Sequence, residues 1–310
     1  MSTTSVLLLA TALATDTAWV TLTLREVHLG VELRMTLSAP TDSLARTAAA
    51  AAFREIARLE DLLSDWRPTS ELRRLEHGGT DWQPASPELT EVLARAMAVA
   101  RASGGAFDPT IGALTRLWRQ ARRSDTLPAP GPIAEARSRV GARWLQVDTV
   151  RRRVRLSRAG MQLDLGGIAK GYLLQRALTV LRHHGTPRAL VEAGGDLVVG
   201  EAPPGRSGWS IAVPFADSSL VRRSGSIVNA ALATSGPVEQ FIEVEGRRES
   251  HVIDPRTGRG VSGRQVATVI GTDAAVTDAV ATALTILPPA AGRRLLAAFG
   301  LVGSLRPAPL

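Results

Sequence analysis

From residue 19 the chain alternates apolar and polar positions in short steps. Val20, Leu22 and Leu24 lie on one side of Gly30, and Val31, Leu33, Met35 and Leu37 on the other. A period of two marks a half-buried strand, so the pattern predicts two strands joined as a hairpin near Gly30. The period then changes. Over residues 44–63, Ala48, Ala51, Ala52, Ile56, Leu59, Leu62 and Leu63 recur at helical spacing, predicting a helix opened by an Asp or Ser cap and ended before Pro68. A second helix is predicted over residues 87–103, closed at Gly104-Gly105, where glycine can take the left-handed conformation. Residues 106–112 are too rich in Pro and Gly for a regular element and read as an ordered loop leading to a helix over 114–122.

Farther on, the pattern predicts an exposed Pro-rich connection at 125–132, a hairpin over 145–156, a helix running to residue 183 and one buried strand over 189–199. Short strands are expected at 209–213, 226–231, 240–244, 251–253 and 266–270, then helices from Asp273 or Asp278 to 287 and over 290–299. Strands and helices mix without regular alternation, which favours an α+β fold over a doubly wound sheet. No internal repeat or long linker interrupts the chain, so residues 19–305 read as one domain.

Composition narrows the function classes. With 310 residues, 45% of them hydrophobic, the chain can bury a real core. Its net charge of +8 comes from arginines scattered along the sequence, with clusters at Arg151-Arg152-Arg153 and Arg222-Arg223. Nucleic-acid binding would want basic residues interleaved with aromatics, which make up only 4% here, so the charge reads as a solvated surface with a general bias toward anionic ligands. The absence of cysteine excludes disulfides, thiolate metal sites and cysteine nucleophiles. Residues 1–18 contain a short apolar run ending in Ala12-Leu13-Ala14 with no Lys or Arg before it; a degenerate signal peptide and a disordered or strand-forming start both fit. The run is too short for a membrane span, which takes about 20 apolar residues.

The chain has a single lysine, Lys170, two residues before its single tyrosine, Tyr172. A lone lysine among so many arginines points to a place where a planar guanidinium cannot replace a compact ammonium. In Asp164-Leu165-Gly166-Gly167-Ile168-Ala169-Lys170-Gly171 the glycines allow close approach to a ligand, and the helix that follows would offer free N–H groups to an anion. An ordinary glycine turn fits the same spacing. Asp278 and Thr282 stand four apart in a helical stretch, a carboxylate and a hydroxyl on one face that would suit a hard cation such as magnesium, or equally a helix cap and a filler. His251, at the end of a predicted strand beside the turn Asp254-Pro255-Arg256-Thr257-Gly258, could serve as a base or as a structural residue.

Seven segments in order, Leu63 through Leu72, Gly105 through Gly112, Leu163 through Tyr172, Ala193-Gly194-Gly195-Asp196, Ala233-Thr234-Ser235-Gly236, Ser250 through Gly258 and Asp278 through Ala283, resemble the ApbE family of FAD:protein FMN transferases. The resemblance implies a single α+β flavin transferase fold, related to the T-fold, with mixed or antiparallel sheets and flanking helices. It implies FAD as substrate, Mg2+ as cofactor, and transfer of FMN to a Thr or Ser hydroxyl of an acceptor protein with release of AMP. Asp278, Thr282 and the backbone carbonyl near Ala169 would hold the metal, and Lys170 would lie near the pyrophosphate. His251 would be the general base, oriented by Asp254 or neighbouring polar groups. Trp66, where the family commonly has Tyr, would stack on the flavin. Phe107, Asp108, Gly166, Gly167, Asp196 and Ser235 would line the nucleotide pocket.

Two further departures carry expectations. His28-Leu29-Gly30-Val31 stands where the family has Met-Gly-Thr, altering one pocket wall. Glu192, before Ala-Gly-Gly-Asp, adds a carboxylate that would weaken FAD binding or pair with an arginine such as Arg188. A magnesium-dependent FAD pyrophosphatase and a non-catalytic FAD-binding protein would use the same pocket. Family members commonly serve exported electron-transfer proteins, so the acceptor is expected to be one and the chain to be exported to a periplasm, with a cytoplasmic location left open.

Overall fold

The computed structural model describes residues 19–211, 226–236, 241–244, 247–261 and 265–307. The alternating stretch forms the hairpin of β1 (Val20–His28) and β2 (Val31–Ala39). Leu29 and Gly30 at its tip both adopt positive φ, +54° and +74°, as a two-residue hairpin turn requires. Next comes α1 (Asp42–Leu63), whose cap is neither Asp nor Ser but Thr41, with its hydroxyl accepting the Leu44 N–H at 3.2 Å. The sequence pattern missed the short α2 (Glu71–His77), where only Leu72 and Leu75 are buried. After β3 (Gln83–Pro84) and α3 (Pro87–Ala102), α4 (Gly112–Ser124) runs longer than expected. The expected exposed connection instead leads into α5 (Pro130–Ser138), begun by a proline that needs no N–H partner.

The hairpin of β4 (Leu145–Asp148) and β5 (Arg153–Leu156) forms as expected, and α6 (Ala169–His183) takes Lys170 into its first turn. The single strand expected over 189–199 is a hairpin of β6 (Ala189–Ala193) and β7 (Asp196–Val199). Gly194 and Gly195, at φ +52° and +87°, make the reversal that apolar periodicity could not show. The strand expected at 209–213 is, among the described residues, one bridge between Trp209 and Ile227. Beyond it lie β8 (Ala230–Ser235), β9 (Phe241–Val244) and β10 (Arg247–Ser250), then β11 (Ile253–Asp254) and β12 (Arg259–Gly260). His251 falls in the bend between β10 and β11 and not within a strand. The chain closes with β13 (Gln265–Gly271), α7 (Ala274–Leu284), α8 (Pro289–Ala298) and β14 (Val302–Pro307), the last unforeseen. Residues 1–18 and Arg222-Arg223 lie outside the described residues.

The main sheet runs β1-β2-β6-β7-β8-β13-β14 with every neighbouring pair antiparallel, an α+β architecture. Helices α1, α6 and α7 pack on one face of it, with α3 against α1 and α7. The core between these layers includes Leu33, Met35 and Leu37 of β2, Ile56 and Leu59 of α1, and Leu89 and Leu93 of α3. Leu197, Val199, Trp209, Ile227 and Leu232 form a smaller separate cluster. Ten of the eleven residues of α7 are buried, as expected for a helix apolar nearly all round, so Asp278 is carried into the interior by its neighbours. Among the described residues no helix is long and apolar enough to cross a membrane.

One close approach sets the geometry of α6 against α7. A Cβ on Gly171 would stand 2.1 Å from the carbonyl oxygen of Ala274 and 3.0 Å from Cβ of Asp278. Gly171→Ala is therefore expected to destabilise the fold by about 2–3 kcal/mol through overpacking, read as a lower denaturant midpoint at unchanged slope. An unchanged midpoint would show that the helices do not meet there.

Candidate functional site

The loop before α6 is built to present the helix N-terminus. Asp164 Oδ1 accepts the Gly166 N–H at 2.7 Å, and the N–H groups of Ile168 and Ala169 turn back to the Leu165 carbonyl at 3.0 and 2.7 Å. No side chain of its own loop caps α6. Instead Asp278 reaches over from α7, and its Oδ2 accepts the Gly171 N–H at 3.1 Å. Lys170, next to Gly171, extends the other way, with Nζ 2.9 Å from Asp196 Oδ2 and donating to the Gly194 carbonyl at 3.3 Å. The lysine–aspartate contact is an ion pair at hydrogen-bonding distance. Asp196 Oδ1 accepts the Thr234 N–H at 3.0 Å.

Two carboxylates and one ammonium are thus gathered in the interior. Burial pushes Asp278 up to about 7, with the charge of Asp196 adding to the rise and Lys170 and the Gly171 N–H opposing it. Burial also raises Asp196, against the pull of Lys170. Thr282 lies one turn along α7 from Asp278 and faces Gly167, where a Cβ would stand 3.1 Å from its hydroxyl oxygen. Ala169 opens α6, two residues before the N–H that Asp278 holds. A carboxylate and a hydroxyl from one helix, beside the glycine loop, form an oxygen donor set suited to a hard cation.

Above this floor is a cavity of about 680 Å³. Trp66, Phe107, Asp108, Gly166, Gly167, Lys170, Ser235, His251, Asp278 and Thr282, separated in sequence, all line it. Asp196, Ala169 and Asp254 are not in the lining. Trp66 is 60% exposed at the rim, with the guanidinium groups of Arg119 and Arg123 centred 4.4 and 5.5 Å from its ring. Phe107 is buried beside Gly167. His251 is exposed in its bend, which Ser250 shapes by accepting the Val252 N–H at 3.0 Å. Leu29, from the β1–β2 tip, supplies the wall where the sequence departs from Met-Gly-Thr.

Three of the carboxylates have structural partners that local sequence did not specify. Asp108, at the cavity wall, ties its loop to a distant segment: Oδ1 accepts from the Thr110 N–H and hydroxyl at 2.8 and 2.6 Å, and Oδ2 from the Ala142 N–H at 2.9 Å. Burial nevertheless pushes its pKa up. Asp254 accepts from the Arg256 backbone N–H and Nε at 2.9 Å and from Nη2 at 2.8 Å, so its carboxylate holds the turn after β11. Glu192 pairs with Arg34, directly opposite it on β2, and not with Arg188, which reaches the Ala202 carbonyl at 2.6 Å and Glu201 at 3.8 Å. The register of two neighbouring strands decided that pairing, and local sequence gave no sign of it. Arg119 also lines the cavity and carried no sequence signal, arginine being common throughout; its partner Asp65 lies in the family-like segment Leu63 through Leu72 but reads there as a turn residue.

The ApbE family model matches residues 27–302. A FAD:protein FMN transferase of Treponema pallidum is 34% identical over 218 residues, covering 64% of this chain and 59% of the relative. One from Klebsiella pneumoniae is 32% identical over 226 residues, covering 71% of this chain and 69% of the relative. Among solved structures, the flavin transferase ApbE from Vibrio cholerae superposes with a TM-score of 0.80 at 23% identity, covering 92% of this chain and 93% of its own. The ApbE protein of Thermotoga maritima gives 0.78 at 29% identity, covering 93% and 97%. The family match spans the glycine loop, the buried aspartates and the His251 bend alike, and on that ground the chain belongs to the ApbE family.

Proposed function

We propose that the chain transfers the FMN moiety of FAD to an acceptor protein, the activity named for its curated relatives, and that the accepting atom is a Thr or Ser hydroxyl oxygen. The observation that carries this reading is the convergence in one cavity of His251, Lys170 and the Asp278–Thr282 oxygen pair. The acceptor hydroxyl oxygen forms a bond to the FMN-side phosphorus, the bridging P–O bond breaks, and AMP leaves with the bond electrons. His251, exposed at the cavity wall, takes the hydroxyl proton. The Lys170 ammonium, fixed by Asp196 and the Gly194 carbonyl, presents positive charge where the pyrophosphate would lie against the glycine loop. Trp66 offers an exposed ring face for the flavin to stack upon.

Magnesium fits the donor set. Asp278 and Asp196 share one ammonium between two buried carboxylates, leaving a charge deficit that a divalent cation would meet. Asp278, Thr282 and the Ala169 carbonyl would hold the ion, leaving its other positions to water and phosphate oxygens. When bound it would neutralise charge on the pyrophosphate.

His251→Ala is expected to lower transfer by about a hundredfold to ten-thousandfold while FAD binding persists, followed as AMP release together with acceptor mass. Full turnover in that variant would remove His251 from the base role. A mass increase equal to FMN, lost on adding chelator, supports the transferase reading, and AMP released with the acceptor mass unchanged counts against it.

The raised pKa of Asp278 gives a second expectation. An unfolded Asp titrates near about 3.9, so the folded protein holds a proton that the unfolded chain releases between roughly pH 4 and 7. Without metal, the stability contributed by neutral Asp278 is complete below pH 4 and is lost as pH rises through about 7. Asp278→Asn, neutral at every pH, should match the unsubstituted protein near pH 4 and exceed it in Tm above pH 7 when chelator is present. A Tm difference that does not vary with pH would contradict the shift.

A further inference from the structure

Arg119 of α4 lies at the meeting point of three segments distant in sequence. Its Nη1 donates to Asp65 Oδ2 in the loop after α1, and its Nη2 donates to Asp164 Oδ2 at 3.0 Å, at the start of the glycine loop. Its guanidinium also lies over the Trp66 ring, 4.4 Å from the centre. The three side chains Arg119, Asp65 and Asp164 are only 19%, 11% and 8% exposed. The other oxygen of Asp164 holds the Gly166 N–H, so the guanidinium is one hydrogen bond removed from the backbone that delivers Lys170.

We propose that Arg119 is a positioning residue that fixes the spacing between the aromatic rim at Trp66 and the glycine loop, and so sets the affinity for FAD. This deepens the reading of the cavity as a flavin nucleotide site and rests on it. A flavin stacked at Trp66 and a pyrophosphate lying on the glycine loop belong to one molecule, so the two contacts must stand at a set separation. The two recognition points come from different parts of the chain, and neither touches the other through backbone hydrogen bonds of a common strand or helix. Arg119 joins them directly, because a planar fork can hold two carboxylates and still present its face to an indole. Lysine has one donor centre and no face, so it cannot make all three contacts at once.

A merely structural role is separable from this one. Removing the guanidinium leaves Asp65 and Asp164 buried without their cation, a fault of stability; loss of the spacing is a fault of affinity. Three variants of the full chain, Arg119→Leu, Arg119→Lys and Asp65→Asn/Arg119→Leu, would be titrated with FAD by flavin fluorescence and melted in parallel. Arg119→Leu should lower Tm and raise the Kd for FAD on the order of tenfold to a hundredfold, with Arg119→Lys between it and the unsubstituted chain. The double variant should regain most of the lost Tm, since one buried carboxylate is gone, while its Kd stays raised. If Arg119→Leu does not fold, the double variant and Arg119→Lys carry the test. A Kd that returns with Tm in the double variant, or one unchanged in every folded variant, would overturn the proposal alone. Failure of the unsubstituted chain to bind FAD would overturn the flavin reading, and this inference with it.

Discussion

The carboxylate of Asp278 holds the architecture of the site together. It sits on α7, among alanines and valines that have no choice but to be buried, and it is satisfied by the N–H of Gly171 at the open end of α6. A helix start leaves several N–H groups without partners, and supplying one from a different helix locks the two elements in both position and rotation. That link exists only because Gly171 lets α7 come within touching distance. Lys170 is aimed by the same arrangement, since it is one residue from the anchored N–H and its stem leaves the helix toward the β6–β7 turn.

Much of this was legible in the sequence, and the reasons are specific. The β1–β2 hairpin was written in period-two alternation, and α1 and α3 in helical alanine and leucine spacing. The solitary Lys170 announced itself by composition. Elements whose signal is not periodic are not legible in that way: α2 has two buried leucines among charges, and the β6–β7 reversal depends on backbone conformation at two glycines between short apolar stretches. Asp278 illustrates a deeper limit. Local spacing offered a helix cap and a metal ligand as rival roles, whereas the fold makes it a cap for a helix more than a hundred residues away in sequence. The two roles employ the same side chain and are not exclusive.

The carboxylates differ in how far their charge is met by hydrogen-bond donors. Asp254 saturates its oxygens within two residues, and Asp108 divides its own between Thr110 nearby and Ala142 farther along, an accounting invisible without the backbone. Glu192, an extra carboxylate before the β6–β7 turn, is compensated across the sheet by Arg34. Asp196 and Asp278 remain in low-dielectric surroundings with a single ammonium, and both resist ionisation for that reason. Arg119 shows how an abundant residue type hides a particular role. Its partners Asp65 and Asp164 come together only through tertiary structure.

The tip of the first hairpin has a further consequence. Leu29 reaches the cavity because the two-residue turn places it there, and the turn is held by Glu60 of α1, which accepts the Leu29 N–H at 3.2 Å and meets His28 Nδ1 at 3.3 Å. Side chains along a strand alternate between faces, so inserting or deleting one residue in β1 or β2 would turn His28 away from Glu60 and swing the tip off the cavity. The hairpin's length is therefore part of the pocket's shape. A substitution at the tip changes what the wall touches, whereas a change in the number of residues leading to it moves the wall itself.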